Sequence, residues 1–183
     1  MTTSARHALR RPRAILLLYG LLSLYFCWPL FATPQSLGIF DWDVHFFYYG
    51  SVLKSLFEYG QLPFWNPWYC GGNVLWQNPQ IPLLSPVIPL AAVMSLPLAM
   101  KINIVLHYWV GLVGMHLLLT EGIGLIFLPA VVYLSAVGVL SGAMVLHLVV
   151  GHSVFLPCLY LPLQLHFAIR ALRDGRLRHI ALA

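Results

Sequence analysis

The chain has 183 residues, of which 60% are apolar and only 8% are charged. Globular domains in water carry about 25% charged residues, so this composition excludes a soluble domain and indicates an integral membrane protein. The formal net charge of +5 does not indicate nucleic-acid binding, because most of the basic residues lie near the chain ends beside apolar segments, where they set membrane topology.

The first predicted element is a membrane span at residues 14–32. Four arginines precede this apolar run, as in the first regions of a signal peptide. The run is long, and no small-residue cleavage motif precedes Pro34, so we interpret it as an uncleaved signal anchor with a cytoplasmic N-terminus. The residues that follow are then expected on the extracytoplasmic side.

Residues 33–100 form the predicted extracytoplasmic loop. Within it, apolar residues recur at helical spacing over residues 44–59 while His45 lies on the opposite side. This pattern predicts an amphipathic helix on the membrane surface. Asp43 is its expected N-terminal cap, and Gly60 is its expected end.

The later part of the chain carries three further predicted spans, at residues 102–119, 123–146 and 153–169. The preceding segment, residues 81–100, is apolar but holds four prolines, so we expect it to be partly embedded and not a fifth span. An even number of spans returns the basic tail at residues 170–183 to the cytoplasm, as positively charged tails prefer. We therefore predict an all-α integral membrane protein, multi-pass, with a single membrane domain of about four transmembrane helices and both termini cytoplasmic.

Asp41 and Asp43 are the most specific polar signal, because they lie two residues apart soon after the first span. Two such carboxylates can bind a divalent cation, or one can act as a general base toward a hydroxyl group. A structural role is the alternative, with Asp43 capping a helix and Asp41 in solvent. The spacing alone leaves these interpretations open.

Histidines are frequent in and beside the predicted spans. Three of them lie inside spans: His107, His116 and His166. Polar groups at membrane depth contact another helix or a cofactor, so interhelical hydrogen bonding and ligation of haem or pigment both remain open. His45 is a further candidate ligand for a metal or a phosphate. His147 and His152 flank Gly151 near the outer end of the third span, where we expect them to border the same cleft as the aspartates.

Aromatic residues cluster in the loop at Trp65, Trp68, Tyr69 and Trp76. Such residues form belts at membrane interfaces, and they also stack against the apolar faces of sugars. The sequence does not decide between these two interpretations.

The succession of motifs resembles one bacterial family. An Asp-x-Asp after the first span is followed by GQLPFWNPWYCGGN, by NPQ, by LLSP, and later by GHSVFLPCLYLPL and the basic AIRALRDGR. This order resembles the YfhO-like membrane proteins, which belong to the GT-C class of glycosyltransferases that use polyprenyl-phosphate-linked sugars. Family members are several times longer, so the resemblance is to their N-terminal portion. It implies a GT-C-like N-terminal half in a bacterial inner (plasma) membrane.

The resemblance also implies roles for individual residues. In that class the first outer loop carries an acidic catalytic or metal-binding motif, which implies these roles for Asp41 and Asp43. Matching motif positions are implied to line the substrate cleft: Asn66, Asn78 and Gln80. The histidines and tryptophans beside them complete the candidate substrate ligands: His45, Trp65, Trp68 and His152.

Two function hypotheses follow. The first is a GT-C-type module that transfers a sugar from a polyprenyl-phosphate carrier on the extracytoplasmic face, with Asp41 as the base and Asp43 holding Asp41 or a divalent cation. The second is a non-catalytic subunit that packs this half-fold into a larger membrane complex, with pigment or haem on a histidine as one version. Membrane lipids and other membrane subunits are the expected partners.

Overall fold

The computed structural model describes residues 12–78, 80, 83–176 and 181–182. Some residues used in the topology prediction lie outside this set: Arg6, Arg10, Arg11, Arg178, Ile81 and Pro82. The described chain is mostly helical, with one two-stranded ribbon. Its predicted all-α character is therefore correct for the spans and incomplete for the loop.

Four described segments are long and apolar enough to cross a membrane, the number expected from the sequence: Arg13–Phe31, Leu96–Ile123, Leu128–Val149 and Ser153–Asp174. The first consists of α1 (Pro12–Cys27) and a 3₁₀ turn at Trp28–Phe31. The third consists of α5 (Leu128–Val139) and α6 (Gly142–Val149), and the fourth of a 3₁₀ helix at Ser153–Tyr160 followed by α7 (Leu161–Asp174).

The second span begins earlier than predicted. Helix α4 (Leu96–Leu117) continues into a π-helical turn at Leu118–Ile123, so this helix begins before the predicted start of the span at residue 102. Pro97 is compatible with the earlier start, because a proline in the first helical turn removes no hydrogen bond.

The loop helix also differs from its prediction. Helix α2 (Trp42–Leu53) starts with Asp41 at the cap position and is followed by a π-helical turn at Lys54–Glu58. Asp43 therefore lies in the first turn, and the prediction that it caps the helix was wrong. Gly60 follows with a φ of +61°, the conformation expected at a helix end.

His45 was expected on the polar side of this helix and is instead buried. It shares a face with Trp42, Tyr49 and Val52, all at most 3% exposed. These positions recur at three- and four-residue intervals, so they line one side of a helix. The sequence assignment failed because it treated His as a solvent-facing residue.

After α2 the loop forms a short ribbon and a short helix. Strands β1 (Trp65–Asn66) and β2 (Asn73–Val74) pair antiparallel, with Trp65 opposite Val74. Helix α3 (Val87–Ala91) follows. A buried cluster of Tyr48, Val52 and Leu75 joins α2 to the residue after β2.

The chain divides into two compact units. Unit 1 comprises the described parts of Met1–Trp28, Val105–Gly142 and Leu156–Ala183. Its helices meet through small residues, because a Cβ placed on Gly114 would lie 2.8 Å from Leu163. Unit 2 comprises Pro29–Ile104 and Ala143–Phe155.

Histidines inside unit 1 connect its helices. The hydroxyl of Tyr19 lies 3.0 Å from Nδ1 of His116, which links the first and second spans. The ring of His107 stacks on Tyr160 with 4.9 Å between centroids. These contacts agree with the interhelical interpretation for His107 and His116.

Candidate functional site

Two distant segments of unit 2 are joined by main-chain hydrogen bonds. The Ile39 N–H donates to the Val149 carbonyl at 3.0 Å, and the Asp41 N–H donates to Val150 at 3.2 Å. The indole N–H of Trp42 donates to the Leu148 carbonyl at 2.7 Å. The start of α2 is thereby fixed against the turn that follows α6.

Two glycines allow this close approach. A Cβ on Gly38 would lie 2.4 Å from the Val149 carbonyl oxygen. Gly151 has a φ of +91°, and a Cβ there would lie 2.6 Å from the Trp42 nitrogen. Both positions therefore exclude a side chain, and Gly151 also needs the backbone freedom of glycine.

This junction carries a chain of three polar side chains. The Asp41 carboxylate lies 3.6 Å from Nε2 of His152, and the two side chains are 51% and 43% exposed. Nδ1 of His152 lies 3.1 Å from Nδ1 of His147. We call Asp41, His152 and His147 the acid–histidine chain. The sequence predicted that these histidines border the aspartates, and the structure brings His152 into contact with Asp41 and His147 into contact with His152.

His45 and Ser153 lie beside the acid–histidine chain. Nε2 of the buried His45 is 3.3 Å from Oγ of Ser153. Burial lowers the pKa of His45, and His152 adds to this shift, while backbone groups of Gly151 and Gln80 and the Asp41 carboxylate oppose it. His45 is therefore a neutral imidazole at neutral pH.

Four predicted site residues thus meet in one place: Asp41, His45, Gln80 and His152. Asp43 does not join them through any hydrogen bond or ion pair to the described residues. Residues two apart at a helix start do not face each other, so the helix alone does not make the two carboxylates converge.

Within the described part of the chain, no group of three His, Cys, Asp or Glu side chains is arranged to hold a metal ion. The metal role of the aspartates stays a prediction.

The two Asn-Pro motifs form the same kind of turn. The Asn66 side-chain oxygen accepts from the Trp68 N–H at 3.0 Å, and that of Asn78 accepts from the Gln80 N–H at 2.9 Å. In each case the asparagine bonds the backbone two residues later, which is an Asx turn. Asn66 is fully buried. The motifs therefore shape the loop backbone, and the Asn78 turn helps to hold Gln80 near His45.

The predicted tryptophan ligands occupy different surroundings. Trp65 is about half exposed and lies over Gly72. The ring of Trp68 stacks on that of Tyr59 with 6.0 Å between centroids. The ammonium of Lys54 lies over the same Trp68 ring, 5.1 Å from its centroid. The Trp68 ring is therefore already engaged by two side chains of the chain itself.

Sequence reasoning missed Ser153 and did not include His147 among the site residues. Ser153 gave no sequence signal, because a serine at the start of a span is ordinary. His147 had one, since it lies five residues before His152 across Gly151. A turn centred on that glycine places the two rings together.

A second polar cluster lies in unit 1. One carboxylate oxygen of Glu121 is 3.4 Å from Nη1 of Arg170 and 3.7 Å from Nε2 of the buried His166. Arg173 donates to the main-chain carbonyls of Glu121 and Gly122 at 3.0 and 2.8 Å. These groups join the π-helical turn at Leu118–Ile123 to α7.

Comparisons with protein-family models, with curated proteins and with solved structures gave no match to this chain. The resemblance to YfhO-like proteins therefore stays a prediction.

Proposed function

We propose that the acid–histidine chain is a general-base centre that removes the proton of an acceptor hydroxyl in glycosyl transfer. The donor is a sugar on a polyprenyl-phosphate carrier, and the reaction takes place on the extracytoplasmic face of a bacterial inner membrane. The contact of a half-exposed Asp41 with His152, which in turn contacts His147, is the observation that carries the proposal.

The surroundings of Asp41 support a role in proton transfer. Among the described residues, no Lys or Arg side chain forms an ion pair with Asp41. A carboxylate bound to a permanent cation is a weak base, whereas one beside a titratable imidazole can accept a proton and pass it on. Asp41 has the second kind of environment.

The geometry supports Asp41 as the base within the acid–histidine chain. Nε2 of His152 faces Asp41, and its Nδ1 faces His147. Both ring nitrogens of His152 are thus engaged, so the carboxylate is the group left to meet a substrate. His152 takes the supporting role that the sequence gave to Asp43.

The proposed step conserves atoms and charge. The acceptor oxygen forms a bond to the anomeric carbon while its proton moves to the Asp41 carboxylate. The bond from that carbon to the phosphate oxygen of the carrier breaks, and the phosphate leaves with the electron pair. His152 then receives the proton from Asp41 and restores the base.

Asp41→Asn tests the proposal, with Asp43→Asn as the matched control. Membranes containing each variant are supplied with polyprenyl-phosphate hexoses and a hydroxyl acceptor extract, and transferred sugar is measured. We expect Asp41→Asn to lower the rate about 10²–10⁴-fold, the usual contribution of a general base. Asp43→Asn should retain most of the rate. Equal activity of both variants and the unmodified protein would refute the proposal.

A non-catalytic subunit role is the second candidate. Only 17%, 22% and 17% of the apolar windows of the first, third and fourth spans are buried within the chain. Their remaining surface is available to lipid or to other membrane subunits. Native mass spectrometry of the chain extracted in mild detergent tests this role, because a stable complex retains its partner subunits, whereas the mass of a single chain would contradict it. A visible absorption band in that complex would support the version with pigment or haem.

A further inference from the structure

The ribbon of unit 2 presents an apolar surface that the proposed function does not use. Four apolar side chains of the ribbon and of the residues next to it are each between 45% and 53% exposed: Phe64, Trp65, Val74 and Trp76. We call this surface the hairpin face. Trp65 and Val74 are register partners, so they point to the same side of the ribbon.

The hairpin face is held in place by its own packing. Trp65 lies over Gly72, whose φ of +105° and missing side chain leave room for the indole. Phe64 packs on Trp76 with 5.2 Å between ring centres. Leu75, next to Trp76, is fully buried against α2. The exposed rings are therefore fixed outward and cannot fold into the core.

The sequence around the hairpin face lacks charge. Residues 59–100 contain no Asp, Glu, Lys, Arg or His. An extended loop in water normally carries such residues, and exposed tryptophan without charge is typical of the membrane–water interface. The stretch also runs without a charged residue into the second span, which starts at Leu96.

Charged side chains of the π-helical turn at Lys54–Glu58, which follows α2, mark the end of this apolar region. Lys54 and Glu58 form an ion pair at 3.9 Å, with side chains 40% and 64% exposed. Lys54 also contacts Trp68. A charged pair next to an aromatic surface is the arrangement found where a protein passes from water into the headgroup layer.

We propose that the hairpin face inserts into the interfacial layer of the lipid bilayer. The occupant is the lipid surface itself: the indole rings lie at headgroup depth, and the Lys54–Glu58 pair stays in water. This interaction is independent of the proposed catalytic role. It holds for an enzyme or for a non-catalytic subunit.

Nitroxide labelling of the full chain in phospholipid vesicles tests the proposal. The background carries Cys27→Ala, Cys70→Ser and Cys158→Ser. A label at Val74→Cys reports on the hairpin face, and one at Glu58→Cys is the control for water. Power saturation of the electron paramagnetic resonance signal measures how accessible each label is to two reagents. Oxygen concentrates in lipid, and a nickel chelate stays in water.

We expect the ratio of oxygen to nickel accessibility to be severalfold higher at Val74→Cys than at Glu58→Cys. Equal ratios would place the hairpin face in water and overturn the proposal. Low accessibility to both reagents at Val74→Cys would also overturn it, because a protein partner would then cover the face. Trp76→Cys repeats the measurement if Val74→Cys does not elute as a folded protein.

Discussion

The two polar clusters of the protein contain the same kinds of group and differ in what balances the carboxylate. In unit 2, Asp41 contacts His152, which contacts His147. In unit 1, Glu121 contacts both Arg170 and His166. Arginine keeps its charge at every physiological pH, whereas histidine gains or loses a proton near neutrality.

This difference separates a carboxylate paired with arginine from a carboxylate whose described ion-pair partner is a histidine. The guanidinium of Arg170 lies beside the Glu121 carboxylate, and Arg173 adds hydrogen bonds to main-chain carbonyls at the same place. Such a cluster joins helices. Asp41 has no Lys or Arg partner among the described residues, and the proposed base role rests on this difference.

Gly151→Ala should have the largest effect on stability and should disrupt the acid–histidine chain. The new Cβ would lie within 3 Å of backbone atoms, and the residue would keep a positive φ. We expect the free energy of unfolding to fall by about 2–4 kcal/mol. Gly124→Ala in unit 1 is the matched control, because it has a φ of +87° and no atom within 4 Å. Gly124→Ala should lower the free energy of unfolding by only about 1 kcal/mol. Denaturant titration in detergent compares them, and equal losses would show that the close approach at Gly151 is not needed.

His147→Ala should reduce sugar transfer about tenfold, less than Asp41→Asn. It removes one hydrogen bond from His152, worth about 0.5–1.5 kcal/mol, and leaves the base in place. The transfer assay with Asp41→Asn and His147→Ala side by side checks this order of effects. A loss at His147→Ala as large as that at Asp41→Asn would contradict the supporting role of His147.

Glu121→Gln should lower the free energy of unfolding by up to about 1 kcal/mol and leave sugar transfer unchanged. The Glu121 side chain is half exposed, so its pair with Arg170 is weakened by solvent. Thermal unfolding and the transfer assay are run on the same preparation. A large loss of transfer would break the distinction between the two clusters.

His45 should make stability depend weakly on pH. Its pKa in the folded protein lies below the value of 6.5 for an unperturbed histidine, so the unfolded chain binds the proton more tightly. Stability is therefore complete above pH 6.5 and falls as the pH drops from there toward the folded pKa. His45→Gln should remove this part of the dependence. If His45→Gln and the unmodified protein gave the same dependence of unfolding free energy on pH, the lowered pKa of His45 would be contradicted.

The spans could be predicted from the sequence because the hydropathy and the length of an apolar run can be counted directly from its residues. The approach of His152 to Asp41 was expected in outline from topology, since both follow the outer ends of spans. Burial of His45 was not predicted, because it depends on which side of α2 packs inward. The turns at Asn66 and Asn78 were recognised as motifs, but only the hydrogen bonds to Trp68 and Gln80 show what these asparagines do.

The contact between the two Nδ1 atoms limits the charge of the acid–histidine chain. A hydrogen bond between two imidazole nitrogens needs one hydrogen and one lone pair, so His147 and His152 cannot both be protonated while it lasts. With Asp41 ionised, the three groups sum to minus one or zero and never to a positive value. They therefore carry no net positive charge that would attract a phosphate anion. The cluster favours a neutral ligand, and an anionic donor must be held by other groups.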